Sequence, residues 1–297
     1  MLTGQRPTAR QQTGDPDLER CFHSLATRDR PLPGLRSRPM MAAATPRLDI
    51  VIPVYNEGSN IMQTLRSLIR EVRTPLRVLI CYDRDDDDTL TAIAGNRAEL
   101  GNLTIEFVRN RGKGALGAVL SGFATGDAPY VIVLPADDDY NAAIIDGMVR
   151  QAEAGCDIVC ASRFMPGGSM VGCPWLKAVL VRAGNFTLYH LARLPTRDAS
   201  NGFRLFSRRV LDGIPIESTV GFAYSIELLV KAHRLGWRIG EVPANWVERS
   251  SGTSRFQVLN WLPAYLHWYR YAFETTYLRR LPSDAQASND ATGRSKA

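Results

Sequence analysis

The stretch Tyr130-Val131-Ile132-Val133-Leu134-Pro135-Ala136-Asp137-Asp138-Asp139 decides the fold. Its first half is apolar with no alternation. A strand reads this way when both its faces are buried, as in a parallel sheet covered by helices on each side. Ligands of such sheets bind beyond the carboxyl ends of the strands, which is where the three carboxylates fall. Adjacent carboxylates repel one another, and a divalent cation relieves the repulsion. Mg²⁺ or Mn²⁺ held by one or two carboxylates plus substrate phosphates is the usual arrangement. If the chain stays extended, Asp137 and Asp139 point the same way and Asp138 points away. The other reading is a solvated acidic turn that caps the next helix.

Upstream, the same grammar repeats. Leu48–Val54 and Leu76–Tyr82 are short apolar runs, and further strands are expected around 103–108 and 158–161. Ser59 can cap a helix carrying Ile61, Leu65, Leu68 and Ile69 at helical spacing. Helices are also expected from about Thr89 and over 115–124. Strand alternating with helix predicts an α/β fold with a mainly parallel sheet. Residues just past each strand then share one rim: Tyr55 and Glu57, then Asp83 with Asp85–Asp88, then Asn110, Arg111 and Lys113, then Asp137–Asp139. Asp83, at a strand end, can hydrogen-bond a base or ribose. The later members of its run read as a solvated loop or a second metal site.

Gly112-Lys113-Gly114-Ala115-Leu116-Gly117 has the form GxGxxG, and Asp137 follows at about the distance of a ribose-binding acid. That would suggest a nicotinamide-dependent oxidoreductase. The fingerprint belongs on the first strand–helix unit of its fold, however, and this is the third. Small residues at a helix start also let backbone approach a ligand closely.

The chain has 297 residues and a net charge of +6, and 32 of its 36 basic residues are Arg. Arg suits phosphate, so nucleotides, lipid headgroups and nucleic acid are all compatible with the charge alone. Five cysteines form no CxxC pair. Cys81, Cys156 and Cys160 lie in strand-like runs and read as buried free thiols of a reducing compartment. Residues 1–46 read as a disordered tail or an over-long start, with no apolar signal segment. Residues 282–297 read as a polar tail.

These residues resemble family 2 glycosyltransferases. Val51-Ile52-Pro53-Val54-Tyr55-Asn56-Glu57 resembles the family's opening strand, and Asn110-Arg111-Gly112-Lys113-Gly114 resembles its Asn-x-Gly-Lys-Gly segment. Ser162-Arg163-Phe164 with Gly167-Gly168, and Asp198 to Arg204, are similar to segments of dolichol-phosphate mannose synthases. Gly221-Phe222, Glu227, Glu241-Val242-Pro243 and 248–255 follow in the same order. The resemblance implies a GT-A-type (Rossmann-like) domain over 47–255, a nucleotide-diphosphate sugar such as GDP-mannose or a UDP-sugar, and Mg²⁺ or Mn²⁺. By matching motifs, Pro53, Tyr55 and Glu57 hold the base, while Cys81 and Asp83 flank base and ribose. Ala136 lies beside the donor, and Asp137 and Asp139 hold the metal. Arg163, Arg249 and Arg255 contact phosphates, and Arg204 joins Asp137 and Asp139 as a catalytic candidate. The motif reads Pro135-Ala136-Asp137, without its usual first carboxylate, and Asp139 compensates in charge. Tyr82-Asp83 likewise keeps only the second of two acids.

The implied reaction is metal-dependent inverting transfer to a polyprenyl phosphate, with a soluble sugar acceptor as the alternative. A phosphate oxygen is already ionised near neutral pH and needs no strong general base. That fits His190, His233 and His267 lying in helix-like stretches. Trp175–Leu194 and an amphipathic C-terminal helix over 256–281 combine apolar, aromatic and Arg residues. Such helices suit a bilayer interface, or packing on the core. A peripheral position on the cytoplasmic membrane face is expected, with a lipid surface and no nucleic acid as partners.

Overall fold

A computed structural model describes residues 45–247 and 258–278. The strands expected from Leu48 to 161 form with end shifts of at most one residue, whereas the helix expected over Trp175–Leu194 ends at His190, and the outermost residues of the helix expected over 256–281 lie outside the described residues. β1 (Leu48–Val54), α1 (Ile61–Glu71), β2 (Leu76–Tyr82), α2 (Asp88–Gly95), β3 (Thr104–Arg109), α3 (Gly114–Thr125) and β4 (Tyr130–Val133) alternate as in a parallel α/β unit. They are followed by α4 (Ile145–Glu153), β5 (Ile158–Ser162), β6 (Ser169–Val171) and α5 (Trp175–His190). The remainder comprises β7 (Arg204–Ser207), α6 (Arg208–Gly213), α7 (Ala223–Arg234), β8 (Ile239–Pro243), β9 (Asn245–Val247) and α8 (Val258–Leu278).

Seven strands pair in the order β3-β2-β1-β4-β7-β5-β8, and only β7 runs antiparallel to its neighbours. Successive residues of each central strand face opposite ways, and both faces are dry. Val51, Leu79, Cys81, Val131 and Val133 meet α3, α7 and α8 on one side. Ile50, Ile52, Val78, Ile80 and Ile132 meet α1, α2 and α4 on the other. That two-sided burial is why β4 carries no polar alternation. α3 lies so close to the sheet that a Cβ on Gly122 would come 2.5 Å from Val51 Cγ1 and 2.9 Å from Cys81 Sγ.

The chain leaves β1 towards β2 and β3, then returns to place β4 on the other flank of β1. This reversal makes the β1/β4 edge the topological switch point, where the loops part and leave a crevice. Pro53 fits here without cost to the ladder. Val51 O accepts from Leu134 N on the β4 side, so the N–H that proline lacks, two residues on, would point past the end of β4.

Three local expectations change. Asn60, not Ser59, precedes α1, and its side chain donates to Glu57 Oε2 at 2.8 Å. Asp87 caps α2, accepting from Thr89 N at 2.9 Å. The chain beyond β4 does not stay extended: Ala136 and Asp137 form a turn in which Asp138 N donates to Pro135 O. The alternation argument for Asp137 and Asp139 therefore has no geometric basis.

Candidate active site

The turn after β4 is pinned from below. Thr64 Oγ1 on α1 donates to Ala136 O at 2.8 Å, in a buried position. Gln63, one residue earlier, donates through Nε2 to Asp139 Oδ2. Asp138 turns inward and accepts from Tyr140 N, Asn141 N and Asn141 Nδ2 at 2.9–3.2 Å. Burial pushes its carboxyl above the ordinary range, against the pull of those hydrogen bonds, and Asp139 adds to the rise. Asp138 is thus the structural acid of the trio. Asp137 and Asp139 stay half-buried at the crevice.

The opposite wall is the loop after β1. Asn56 has a left-handed φ of 53°, tolerable for Asn because its short side chain crowds the backbone little. Three consecutive amides fasten the loop to the start of α2: Asn56 N to Asp87 Oδ2, Glu57 N to Thr89 Oγ1 and Gly58 N to Asp88 Oδ1, at 2.9–3.0 Å. The run Asp83–Asp88 is therefore neither a second metal site nor merely solvated. Asp85 pairs with Arg109 and Asp86 with Arg84, while Asp87 is 3% exposed. Asp83 accepts from Asn110 Nδ2, which also donates to Gly114 O, and Asn110 Oδ1 accepts from Gly112 N. This joins the acid after β2 to the glycine loop after β3.

That glycine loop lies beside an edge strand and not at the switch point. Gly112 and Gly117 serve packing, since a Cβ on Gly117 would come 2.9 Å from Gly112 Cα and 2.7 Å from Asn110 Oδ1, whereas Gly114 takes a left-handed φ of 60°.

Among the described residues no three His, Cys, Asp or Glu side chains converge on one point. Asp137 and Asp139 offer hard oxygen donors from a single loop. That set fits a cation completing its shell with diphosphate oxygens and water, and does not fit an all-protein cage.

Residues 49–214 match the family described as Glycosyl transferase family 2. The chain belongs to this family. It is 26% identical over 233 residues to a polyprenol monophosphomannose synthase of Mycolicibacterium smegmatis, covering 76% of this chain and 87% of that protein. It is 29% identical over 214 residues to an undecaprenyl-phosphate mannosyltransferase of Micrococcus luteus, covering 70% and 87%. The fold superposes on glucosyl-3-phosphoglycerate synthase from Mycobacterium tuberculosis, solved with Mn²⁺, UDP and glucosyl-3-phosphoglycerate. The TM-score is 0.55 at 16% identity, covering 81% of this chain and 82% of that one.

In this glycosyltransferase Pro53, Tyr55, Glu57, Asp83, Ala136, Asp137 and Asp139 lie at the carboxyl ends of β1, β2 and β4. Two other expected site residues turn their side chains into the core. Cys81 is fully buried, its Sγ turned towards Leu79 O and the α3 face. Burial pushes its thiol up to about 12, with a smaller push from Glu106. Cys81 is a core residue, so its side chain does not flank the base as the resemblance implied. Arg204 is 1% exposed, and its guanidinium donates to Ser225 Oγ and Ala199 O. It props the loop before β7 from inside, where the expectation had its guanidinium free for phosphate or catalysis. Arg249 and Arg255 lie outside the described residues.

Arg163, just past β5, is 11% exposed and held by Asp198. Its ring neighbour Phe164 is flanked by two guanidinium groups, Arg163 and Arg182, each 5.3 Å from the ring centre.

Gln63, Thr64, Asn141 and Asn185 were not legible as site residues. Gln63 and Thr64 sit on a helix whose sequence reports only its apolar stripe. Asn141, three residues after Asp138, did carry a signal, since an Asp accepting from downstream amides is a common turn.

Proposed function

We propose that this chain transfers a sugar from a nucleotide-diphosphate sugar to a polyprenyl phosphate at a membrane surface, with inversion and with a divalent cation bound. The carrying observation is that Asp137 and Asp139 lie in the loop after β4, and the anchored Tyr55–Glu57 loop follows its neighbour β1 at the switch point. The two polyprenyl-phosphate mannosyltransferase relatives support the acceptor, and mannose as the sugar. The Mn²⁺ and UDP of the structural relative support the cation and the diphosphate.

Asp137 and Asp139 would hold Mg²⁺ or Mn²⁺, whose charge would offset the negative charge building on the leaving nucleotide. The protein's own share is positional. Gln63 and Thr64 fix the carboxylate loop, Asp87, Asp88 and Thr89 fix the base-side loop, and Asn110 fixes Asp83. Arg163 provides a cation near the phosphates. A lipid phosphate oxygen attacks as an anion, so no residue need remove a proton.

α5 supports the membrane surface. Trp175, Leu176, Val179, Leu180 and Phe186 are each more than half exposed, alongside Lys177 and Arg182. Apolar side chains with neighbouring cations suit an anionic bilayer interface. No helix among the described residues is long and apolar enough to cross a membrane. α8 contributes less, because Trp268 and Ala272 face the core.

The test is radiolabelled sugar transfer from GDP-mannose, UDP-glucose and related donors, with and without undecaprenyl phosphate in phosphatidylglycerol vesicles. Lipid-dependent, EDTA-sensitive transfer is expected. Transfer only to soluble sugars would overturn the acceptor assignment.

A further inference from the structure

The apolar helix α5 is wired to Arg163 through one buried amide. Asn185, on α5, is 3% exposed. Its Nδ2 donates to Val181 O at 2.9 Å and to Ser200 Oγ at 2.8 Å, and its Oδ1 accepts from Ser200 N at 3.2 Å. Ser200 Oγ accepts a second bond from Arg163 Nη2 at 2.8 Å and donates to Asp198 Oδ1 at 3.0 Å. A hydroxyl has one proton and two lone pairs, so this one is saturated and every partner's direction is fixed. Asp198, fully buried, also takes Arg163 N, Nε and Nη2 and the amide of Asn201.

From this connectivity we infer that Asn185 is a positioning residue, transmitting the seating of α5 on a lipid surface to the guanidinium of Arg163. The inference rests on the membrane-surface reading above. Asn185 itself touches no lipid, because its side chain is buried behind the helix. The face that meets lipid, Trp175, Leu176, Val179, Leu180 and Phe186, lies on the same rigid helix. A tilt of α5 moves the Asn185 amide, and the saturated Ser200 hydroxyl has no spare direction in which to absorb the movement. Arg163 must then turn with it. The network thus separates two properties that a merely stabilising residue would change together, namely hold on the membrane and rate of transfer.

The experiment uses the full chain with GDP-mannose and undecaprenyl phosphate in phosphatidylglycerol vesicles. Vesicle affinity is read by co-sedimentation, and kcat and KM by product extraction. Asn185→Leu keeps the side-chain shape and should bind vesicles as wild type does. Its kcat should fall about tenfold or more, as expected when a charged group is misplaced by a fraction of an ångström to an ångström. Ser200→Ala, at an exposed position, should show the same split, and Ser200→Thr, which keeps the hydroxyl, should restore kcat. The double variant Asn185→Leu, Ser200→Ala should be no slower than the worse single, since both cut one chain of bonds. Unchanged kcat in both singles would overturn the inference, as would parallel loss of vesicle binding or a double variant showing the product of the single losses. If wild type transfers nothing to lipid, the functional reading fails by itself. Hydrogen exchange still decides the coupling: amides of Arg163, Ser200 and Asn201 should exchange about tenfold faster in Asn185→Leu, and equal exchange would overturn it.

Discussion

Arg163 clasps Asp198 with two prongs, Nε at 2.7 Å and Nη2 at 2.9 Å from its two carboxylate oxygens. Both side chains are almost out of water. Removing one partner leaves the other charge buried alone. Asp198→Ala should therefore cost about 3–5 kcal/mol of stability, measured by urea unfolding, whereas Arg163→Met should cost less because Asp198 keeps the amides of Arg163 and Asn201. Equal losses for the two variants would show that the amide bonds to Asp198 add nothing beyond the pair.

The three acids after β4 should separate cleanly. Asp137→Asn with Asp139→Asn should abolish measurable transfer while changing the unfolding midpoint little, because each amide keeps an acceptor oxygen where the carboxylate had one. Asp138→Ala should instead lower stability by about 1 kcal/mol, the usual loss for a turn-capping acceptor, with metal affinity retained. Metal affinity can be read by Mn²⁺ electron paramagnetic resonance, independently of catalysis. Full Mn²⁺ binding by the double variant would remove the metal assignment.

Cys81 should be chemically silent. Its thiol is buried and pushed up to about 12, so almost no thiolate exists at pH 8. Iodoacetamide should leave Cys81 unmodified in the native protein and label it after guanidinium denaturation, as read by peptide mass mapping. Rapid native labelling would place Cys81 on an accessible rim.

Gly122→Ala should be destabilising in spite of its better helix propensity. The added methyl would meet Val51 and Cys81 well inside contact distance, and overpacking of this kind costs about 1–3 kcal/mol. A rise in melting temperature would mean that α3 has room to retreat from the sheet.

Asp146 predicts a pH-dependent term. Burial pushes its carboxyl up, but hydrogen bonds from Thr74 and Arg73, with the charge of Arg150, outweigh this and bring it below the ordinary value of 3.8. A folded-state pKa below the unfolded one stabilises above the ordinary carboxylate range, and that contribution fades as pH falls through it. Asp146→Ala should therefore be less stable than wild type at pH 7, with the gap narrowing below pH of about 4. A gap of the same size at both pH values, measured by urea unfolding, would exclude the ionised carboxylate as its source.

Sequence by itself determined the sheet, its two dry faces and the rim on which chemistry collects. Apolar runs such as Val131-Ile132-Val133 have only one economical burial, and loops past parallel strands must emerge at one end. The ordered motifs from Pro53 to Arg204 also carried the family. The sequence favoured Asp137 and Asp139 over Asp138 by resemblance and by an extended geometry that the chain does not adopt. Asp137, Asp138 and Asp139 are chemically identical, and their roles differ because the chain turns at Ala136 and Asn141 draws Asp138 inward. The sequence did not reveal that Asp87 and Asp88 anchor Asn56–Gly58 from about thirty positions away, or that Arg204 faces inward. Hydrogen-bond direction is set by where the tertiary structure brings donors and acceptors together, and local pattern holds no record of partners so distant along the chain. Asn185 shows this most plainly. In sequence it is one polar residue on an apolar helix, and only packing against Ser200 makes it the link between that helix and Arg163.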